Sequence, residues 1–269
     1  MTISEALKAY KDIEADLLLG FVLKQPKEFL YLNPNKPLTK AQAESYRNMA
    51  KKRRQGIPAA YLLGYKDFYG LKFKVNRHVL IPRPETEWLV ENALRIIKAK
   101  QSKSKTGPLK VLDVGSGSGC IGISIRKNTP SQQVKFVASD VSAEALKVAR
   151  SNAKTHNAKI QFIKSDLFTN LTGKFDLIVA NLPYVPITDY KKLYPNLKYE
   201  PKLALTDGKD DFPLLRRFLA EVSKHLKERA VLLLEVDPKF IKTLKDNQWR
   251  IVKDIRGLNR FDLMVNYKK

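Results

Sequence analysis

Asn181-Leu182-Pro183-Tyr184 is a run of residues that could activate a planar NH2 group. On a carboxamide or an aromatic base such a nitrogen is a poor nucleophile, because its lone pair is delocalised. It needs two acceptors in its own plane to draw its protons aside. The side-chain carbonyl of Asn181 and the backbone carbonyl of Leu182 can supply them. Pro183 keeps Leu182 extended and stiffens the turn, and Tyr184 can cover the flat face of a substrate. With the nitrogen held about 3–3.5 Å from an electrophilic methyl group and in line with the breaking bond, positioning supplies most of the rate. No general base with a shifted pKa is required before transfer. An asparagine turn followed by proline is also common in loops, so the tetrapeptide takes its meaning from its surroundings. The apolar run Phe175–Ala180 precedes it and sets it at the carboxyl end of a strand, beside the topological switch where open α/β sheets bind ligands.

A second constellation, Asp113-Val114-Gly115-Ser116-Gly117-Ser118-Gly119, follows a short apolar strand and precedes a helix. Glycines let the backbone touch a ligand there, and the free amides of the helix start near Gly119 and Cys120 can receive a carboxylate or phosphate. Gly117, Gly119 and Gly122 formally match the dinucleotide fingerprint, which keeps a dehydrogenase open at this point. The leading acid Asp113 and glycines at every second position instead resemble the first motif of S-adenosylmethionine methyltransferases. Asp140, ending the next strand, is expected to accept two hydrogen bonds from a ribose diol, since Ser142 already caps the following helix. Asp166-Leu167-Phe168, ending the third strand, sits where such enzymes contact adenine; ordinary strand-end packing by Leu167 and Phe168 is an equal reading.

These loops need a scaffold. From Lys110 onward strands and helices alternate: strands Val111–Gly115, Val134–Asp140, Ile160–Asp166 and Phe175–Asn181, with helices after Gly119 and from Ser142. That rhythm predicts an α/β domain with a parallel sheet and crossover helices. A helix near Asp210–Lys227, the strand Ala230–Val236 and a helix near Pro238–Asp246 follow. Arg250–Ile255 and Arg260–Tyr267 suit an antiparallel pair at the sheet edge.

Upstream, Thr2 with Glu5 and Thr39 with Gln42 form capping-box patterns. Ile3, Leu7, Tyr10, Leu17 and Phe21 recur at helical spacing, and Gly56 with Pro58 stops the second helix. Residues 1–64 therefore read as a helical domain. Residues 65–84 read as a hairpin linker, with Leu71, Phe73 and Val75 on one side and Gly70 at the turn. Residues 85–269 read as the catalytic domain, opening on a helix from about Glu85 to Lys98. The polar Gln101–Pro108 stretch after it is expected to be mobile.

A chain of 269 residues with 43% hydrophobic residues has room for one large and one small domain. The longest apolar run, Leu17–Leu23, is far too short for a membrane span. No basic stretch followed by an apolar core and cleavage site opens the chain, so a cytoplasmic protein is expected. Cys120 is the single cysteine and the three histidines are scattered, so neither a disulfide nor a metal site is expected. Lys and Arg total 50 against 27 Asp and Glu, a net charge of +23. The resulting positive potential favours anionic partners. The lysines are dispersed, however, so direct nucleic-acid binding is compatible with the charge without being required by it.

Tyr61–Gly64, Phe68–Gly70, Leu80–Glu87, Asp113–Gly119, Asn181–Tyr184, Glu200-Pro201, Ala204-Leu205 and Asp207-Gly208 together resemble the release factor glutamine methyltransferases, in the family's order. Ile81–Glu87 is the most specific of these segments. The resemblance implies a seven-stranded Rossmann-like methyltransferase domain with a small N-terminal helical domain that helps grip the substrate. It also implies S-adenosyl-L-methionine as methyl donor and, as acceptor, the glutamine of the Gly-Gly-Gln loop in class-one peptide chain release factors. Three positions depart from the pattern. Leu182 replaces the first of two usual prolines, Leu167 an aromatic residue, and Asp211-Phe212 a glycine-hydrophobic pair. A ribosomal RNA adenine methyltransferase is the rival enzyme, since Asn-Leu-Pro-Tyr is common there too, and an RNA-binding scaffold is the rival without chemistry.

Overall fold

In the computed structural model, residues 1–10, 14–102, 107–130, 132–192, 195–244, 250–252 and 262–267 are described. Helices α1 (Ile3–Ala9), α2 (Ala15–Leu23), α3 (Lys27–Leu32), α4 (Lys40–Arg54) and α5 (Ala59–Leu63) build a first unit, Met1–Tyr65, which takes in the 3-10 turn Pro195–Tyr199. Both capping boxes are formed. Glu5 N donates to Thr2 Oγ1 at 3.3 Å and Thr2 N to Glu5 Oε2 at 2.8 Å, while Gln42 N donates to Thr39 Oγ1 at 3.2 Å and Thr39 N to Gln42 Oε1 at 3.0 Å. The reciprocal bonds satisfy donors that a helix start otherwise leaves free. Ile3, Leu18, Leu19, Leu30, Tyr46 and Leu63 fill the core of this unit. Leu17 and Phe21, which continue the spacing of Ile3 and Leu7, are exposed instead. α1 ends at Tyr10, and the new start at Ala15 resets which face is buried.

The second unit begins with strands β1 (Tyr65–Phe68) and β2 (Leu71–Lys74). Tyr69 and Gly70 join them at φ +49° and +71°, the two successive left-handed residues of the tight turn that matches strand twist. A 3-10 turn, Pro84–Thr86, precedes α6 (Glu87–Gln101), so the helix starts later and runs further than its periodicity predicts. Of the expected mobile linker, residues 103–106 lie outside the described residues.

There follow β3 (Leu109–Val114), α7 (Cys120–Lys127), β4 (Val134–Asp140), α8 (Ala143–Thr155), β5 (Gln161–Lys164), β6 (Phe175–Asn181), α9 (Ile187–Lys192), α10 (Pro213–Val222), β7 (Leu226–Val236), α11 (Pro238–Ile241), β8 (Arg250–Val252) and β9 (Asp262–Tyr267). Strands β5, β4, β3, β6 and β7 are parallel neighbours in that order, and β9 then β8 continue the sheet antiparallel. The ends of the two last predicted runs, within residues 253–261, lie outside the described residues, as do residues 245–249, where the predicted helix to Asp246 would end. α10 starts at Pro213 because Phe212, at φ +55°, cannot continue a helix. β7 starts four residues earlier than its apolar run, through Lys227-Glu228-Arg229, with a shift of register against β6.

Alternate residues of each central strand serve opposite faces. Val111, Leu177, Val179, Val231 and Leu233 pack with α6 and α7, while Leu112, Ile178, Ala180, Leu232 and Leu234 pack with α10 and α11. A strand covered on both faces reads as an unbroken apolar run, as these do. From β3 the chain winds outward through β4 and β5, then returns to β6 on the other flank of β3. The loops after β3 and β6 thereby diverge over a crevice. No helix among the described residues is long and apolar enough to cross a membrane.

Candidate active site

That crevice holds a cavity of about 390 Å³ within the second unit. Gly115, Ser116, Gly117 and Ser118 line it from the β3 loop, Asp140 from β4, Asp166 and Leu167 from beyond β5, and Asn181, Leu182 and Pro183 from β6. Strand register explains the convergence: Val114 pairs with both Ser139 and Ala180, so the residues that follow each strand emerge side by side.

The glycines are demanded by the backbone. Gly115, Gly117 and Gly119 have φ of +75°, +54° and +81°, a region that costs an L-residue roughly 1–2 kcal/mol. A Cβ on Gly115 would also lie 2.8 Å from Leu182 Cδ2, whereas one on Gly117 would meet nothing within 4 Å. Gly115 is therefore packed against the second loop, and Gly117 faces open space. Asp140 ties the loop down: Oδ2 accepts from Gly117 N and Oδ1 from Ser142 N, both at 2.8 Å. Burial raises its pKa, and the backbone donors of Ser142, Gly117 and Val141 oppose the rise.

Asp113, Gly119, Phe168 and Tyr184 do not line the cavity. Asp113 is fully buried behind the loop, where Oδ2 accepts from Gly122 N at 3.0 Å, and burial pushes its carboxyl up to about 7. A Cβ on Gly119 would press on Ile123 Cδ1 at 3.0 Å and Ala149 Cβ at 3.2 Å, so this glycine packs against the helices. Phe168 stacks on His225 at 4.5 Å and Phe218 at 5.3 Å, which makes it core. Leu167, buried at a left-handed φ of +46°, turns the chain there. Asp166 forms an ion pair with Arg217 of α10.

Asn181 is held from the sheet side. Its Nδ2 donates to Glu235 Oε1 at 2.9 Å and to Thr86 Oγ1 at 3.2 Å. Both amide protons are thereby committed, so what Asn181 has to offer the cavity is its carbonyl oxygen. Tyr184 turns its hydroxyl to the same Glu235 Oε1 at 3.1 Å rather than covering the cavity. Glu235, next to last in β7, lies directly opposite Asn181 in the parallel register. Burial pushes its carboxyl up to about 7, against hydrogen bonds from Thr86, Tyr184 and Asn181.

The Ile81–Glu87 segment frames this centre. Glu200, buried, accepts from Ile81 N at 3.0 Å and pairs with Arg83 at 2.5 Å, while Glu87 Oε1 accepts from Tyr69 N at 2.8 Å. On the other side, Asn152 of α8 bridges hairpin and loop. Its Oδ1 accepts from Lys74 N at 2.8 Å, and its Nδ2 donates to Lys74 O at 3.0 Å and Ser118 O at 2.8 Å.

Residues 96–195 match the methyltransferase small domain and residues 3–64 the PrmC N-terminal domain. The release factor glutamine methyltransferase of Chlorobaculum tepidum is 42% identical over 201 residues, covering 72% of this chain and 67% of its own. That of Streptococcus pneumoniae is 36% identical over 256 residues, covering 90% of this chain and 88% of its own. The chain belongs to the release factor glutamine methyltransferase family. A methyltransferase of solved structure from Pyrococcus furiosus, 17% identical with a TM-score of 0.51 over 82% of this chain and 98% of its own, is alike in fold.

Two departures from the usual pattern of release factor glutamine methyltransferases acquire a physical setting. Leu182, in place of proline, is buried and reaches Gly115. Phe212 takes a left-handed conformation and packs edge-on against Phe240 at 5.3 Å. Sequence reasoning passed over Glu235, Thr86 and Asn152. The signal for Glu235 was a single acid inside the run Val231–Val236; Thr86 lay in the most family-specific segment; Asn152, on an amphipathic helix, gave none.

Proposed function

We propose that this protein uses S-adenosyl-L-methionine to methylate the side-chain amide nitrogen of the glutamine in the Gly-Gly-Gln loop of class-one peptide chain release factors, acting in the cytoplasm in support of translation termination. The observation that carries the reading is the orientation of Asn181, whose two amide protons are taken by Glu235 and Thr86 beside the cavity. The cofactor fits the residues present. Gly117 leaves backbone open to it, the hydroxyl of Ser116 is buried without a partner, and Asp140 offers a carboxylate at the next strand end.

Gly115, Ser116, Gly117 and Ser118 cradle the cofactor in this reading, Asp140 accepts from its ribose, and Asp166 and Leu167 border its base. Asp113, Gly119 and Phe168 act indirectly, by holding the loop and the core behind it. When bound, the cofactor supplies an electrophilic methyl group on a sulfonium. Asn181 Oδ1 and the Leu182 carbonyl accept the two N–H bonds of the substrate amide and fix its nitrogen in line. As that nitrogen's lone pair enters the new C–N bond and the sulfur–methyl bond breaks, its protons become more acidic, so both hydrogen bonds strengthen in the transition state, which is where binding accelerates a reaction; one of the two protons is then released to water, leaving the neutral N-methyl amide. Pro183 stiffens the turn, and Tyr184 anchors it through Glu235. Residues 1–64 grip the release factor, 65–84 link, and 85–269 form the seven-stranded Rossmann-like catalytic domain.

Incubation with methyl-labelled cofactor and either a release factor or ribosomal RNA tests this. Label is expected on the glutamine of the Gly-Gly-Gln peptide. Label found only in RNA refutes it.

A further inference from the structure

We propose that Glu235, with Thr86, is a positioning residue that sets the Asn181 amide with its nitrogen toward the sheet and its carbonyl toward the substrate. The inference rests on the reading of Asn181 as an acceptor and extends it to how that acceptor is chosen. A carboxamide has nearly the same shape after a half-turn, so packing alone hardly distinguishes oxygen from nitrogen. Turned the wrong way, Asn181 would present NH2 to a substrate NH2, donor against donor.

With Glu235 ionised, the surroundings of Asn181 favour one orientation. Thr86 Oγ1 accepts from Asn181 Nδ2 at 3.2 Å, and a Thr86 hydroxyl turned toward Glu235, where it holds that carboxyl's pKa down, has no proton left to give Asn181. Glu235 Oε1 accepts from Asn181 at 2.9 Å and from Tyr184 at 3.1 Å, so it too presents lone pairs. A turned amide would set its oxygen against both. Glu235 does not line the cavity, is buried, and stands among Leu232, Leu233, Leu234 and Val236. A carboxyl in such a place is costly unless its hydrogen bonds are used, and those it has converge on Asn181 and on Tyr184 three residues later. It acts on the reaction through Asn181 without touching the reacting atoms.

Turnover of the full chain with a release factor and S-adenosylmethionine is measured for Glu235→Leu, Glu235→Gln, Thr86→Val, Asn181→Ala and the double variant Asn181→Ala/Glu235→Leu. Loss of the orienting bonds is expected to lower kcat about 10²-fold in Glu235→Leu, the scale of one misaligned hydrogen-bonding group, with little change in either KM. Glu235→Gln keeps an acceptor oxygen but adds an NH2 that can face a turned Asn181, so its loss should lie between the parent and Glu235→Leu. In the Asn181→Ala background, Glu235→Leu should add almost nothing, because a residue acting through another is not additive with it. Normal kcat in Glu235→Leu, or independent multiplication of the two losses, overturns the proposal. Should Glu235→Leu fail to fold, Thr86→Val decides, with an expected loss of about tenfold and an unchanged kcat counting against it. A readout free of substrate separates this inference from the glutamine assignment. In nuclear magnetic resonance spectra, the Asn181 NH2 signals, assigned by their loss in Asn181→Ala, should exchange slowly in the parent and fast in Glu235→Leu. Unchanged exchange sinks the positioning role even where the release factor is methylated. Absence of label in the release factor sinks the substrate while leaving the exchange result standing.

Discussion

Asn152→Asp alters one heavy atom and reverses one hydrogen-bonding role at the bridge between the hairpin and the glycine-rich loop after β3. The residue is 2% exposed, donates to Lys74 O and Ser118 O, and accepts from Lys74 N. An aspartate keeps the acceptor but turns its second oxygen onto two carbonyls. Each buried polar group left unsatisfied costs about 1–3 kcal/mol, so losing both donor bonds should cost about 2–6 kcal/mol. Protonation returns one O–H donor and so part of that loss. The folded-state pKa of the new carboxyl must then exceed its unfolded value of about 3.9, and the folded state holds more protons. Stability of the variant therefore falls as pH rises from about 4 through the folded pKa, by about 1.4 kcal/mol for each pH unit between the two values. Urea unfolding of parent and variant at about pH 5 and about pH 8 measures this difference. A destabilisation equal at both pH values would refute the bonding scheme. Calorimetry should also find weaker S-adenosylmethionine binding, since the Ser118 carbonyl belongs to the loop proposed to cradle it.

Asn181→Ala should lower kcat by about 10²-fold or more in single-turnover assays, and near-normal turnover would refute the two-acceptor geometry. Gly115→Ala meets both a left-handed φ and Leu182 Cδ2 at 2.8 Å. Adding Leu182→Ala should recover about 1 kcal/mol of the combined loss in a double-mutant unfolding cycle, with strict additivity as the contrary outcome. Because burial pushes the Asp113 carboxyl up to about 7, the folded state binds its proton more tightly than the unfolded one, and this group's contribution declines as pH rises from about 4 to about 7. Asp113→Asn should accordingly gain stability relative to the parent across that window. A constant difference in melting temperature between the two would contradict the assignment.

Much of this was legible in the chain itself. Val134–Asp140 and Phe175–Asn181 could be bounded because each combines closely spaced apolar residues with a polar residue at its carboxyl end, Asp140 and Asn181. Ser142 caps its helix as its type and position suggest, accepting from Ala145 N at 3.1 Å. What escaped depends on partners distant in sequence. Nothing local says that Glu235 meets Asn181, 54 positions away, or that Asn152 meets Lys74, 78 away; strand order and helix packing bring them together. Phe168 had two equal local readings, and the choice of core fell to His225 and Phe218 on a later element. The break after Tyr10 misled differently: spacing carried past a helix end points at the wrong face, which is how Leu17 and Phe21 came to look like core.

The double tether of Asp140 has a consequence for how selectively the crevice can respond to sugars. A carboxylate has about four acceptor directions, and Gly117 N and Ser142 N occupy one on each oxygen. The Val141 backbone takes a third, and the direction that remains suits one ribose hydroxyl. A nucleoside could dock without unfastening the backbone, and one lacking a hydroxyl would forfeit a single contact while the cradle kept its form. Discrimination between ribose and deoxyribose at this position would then be graded, set by one bond and not by collapse of the loop.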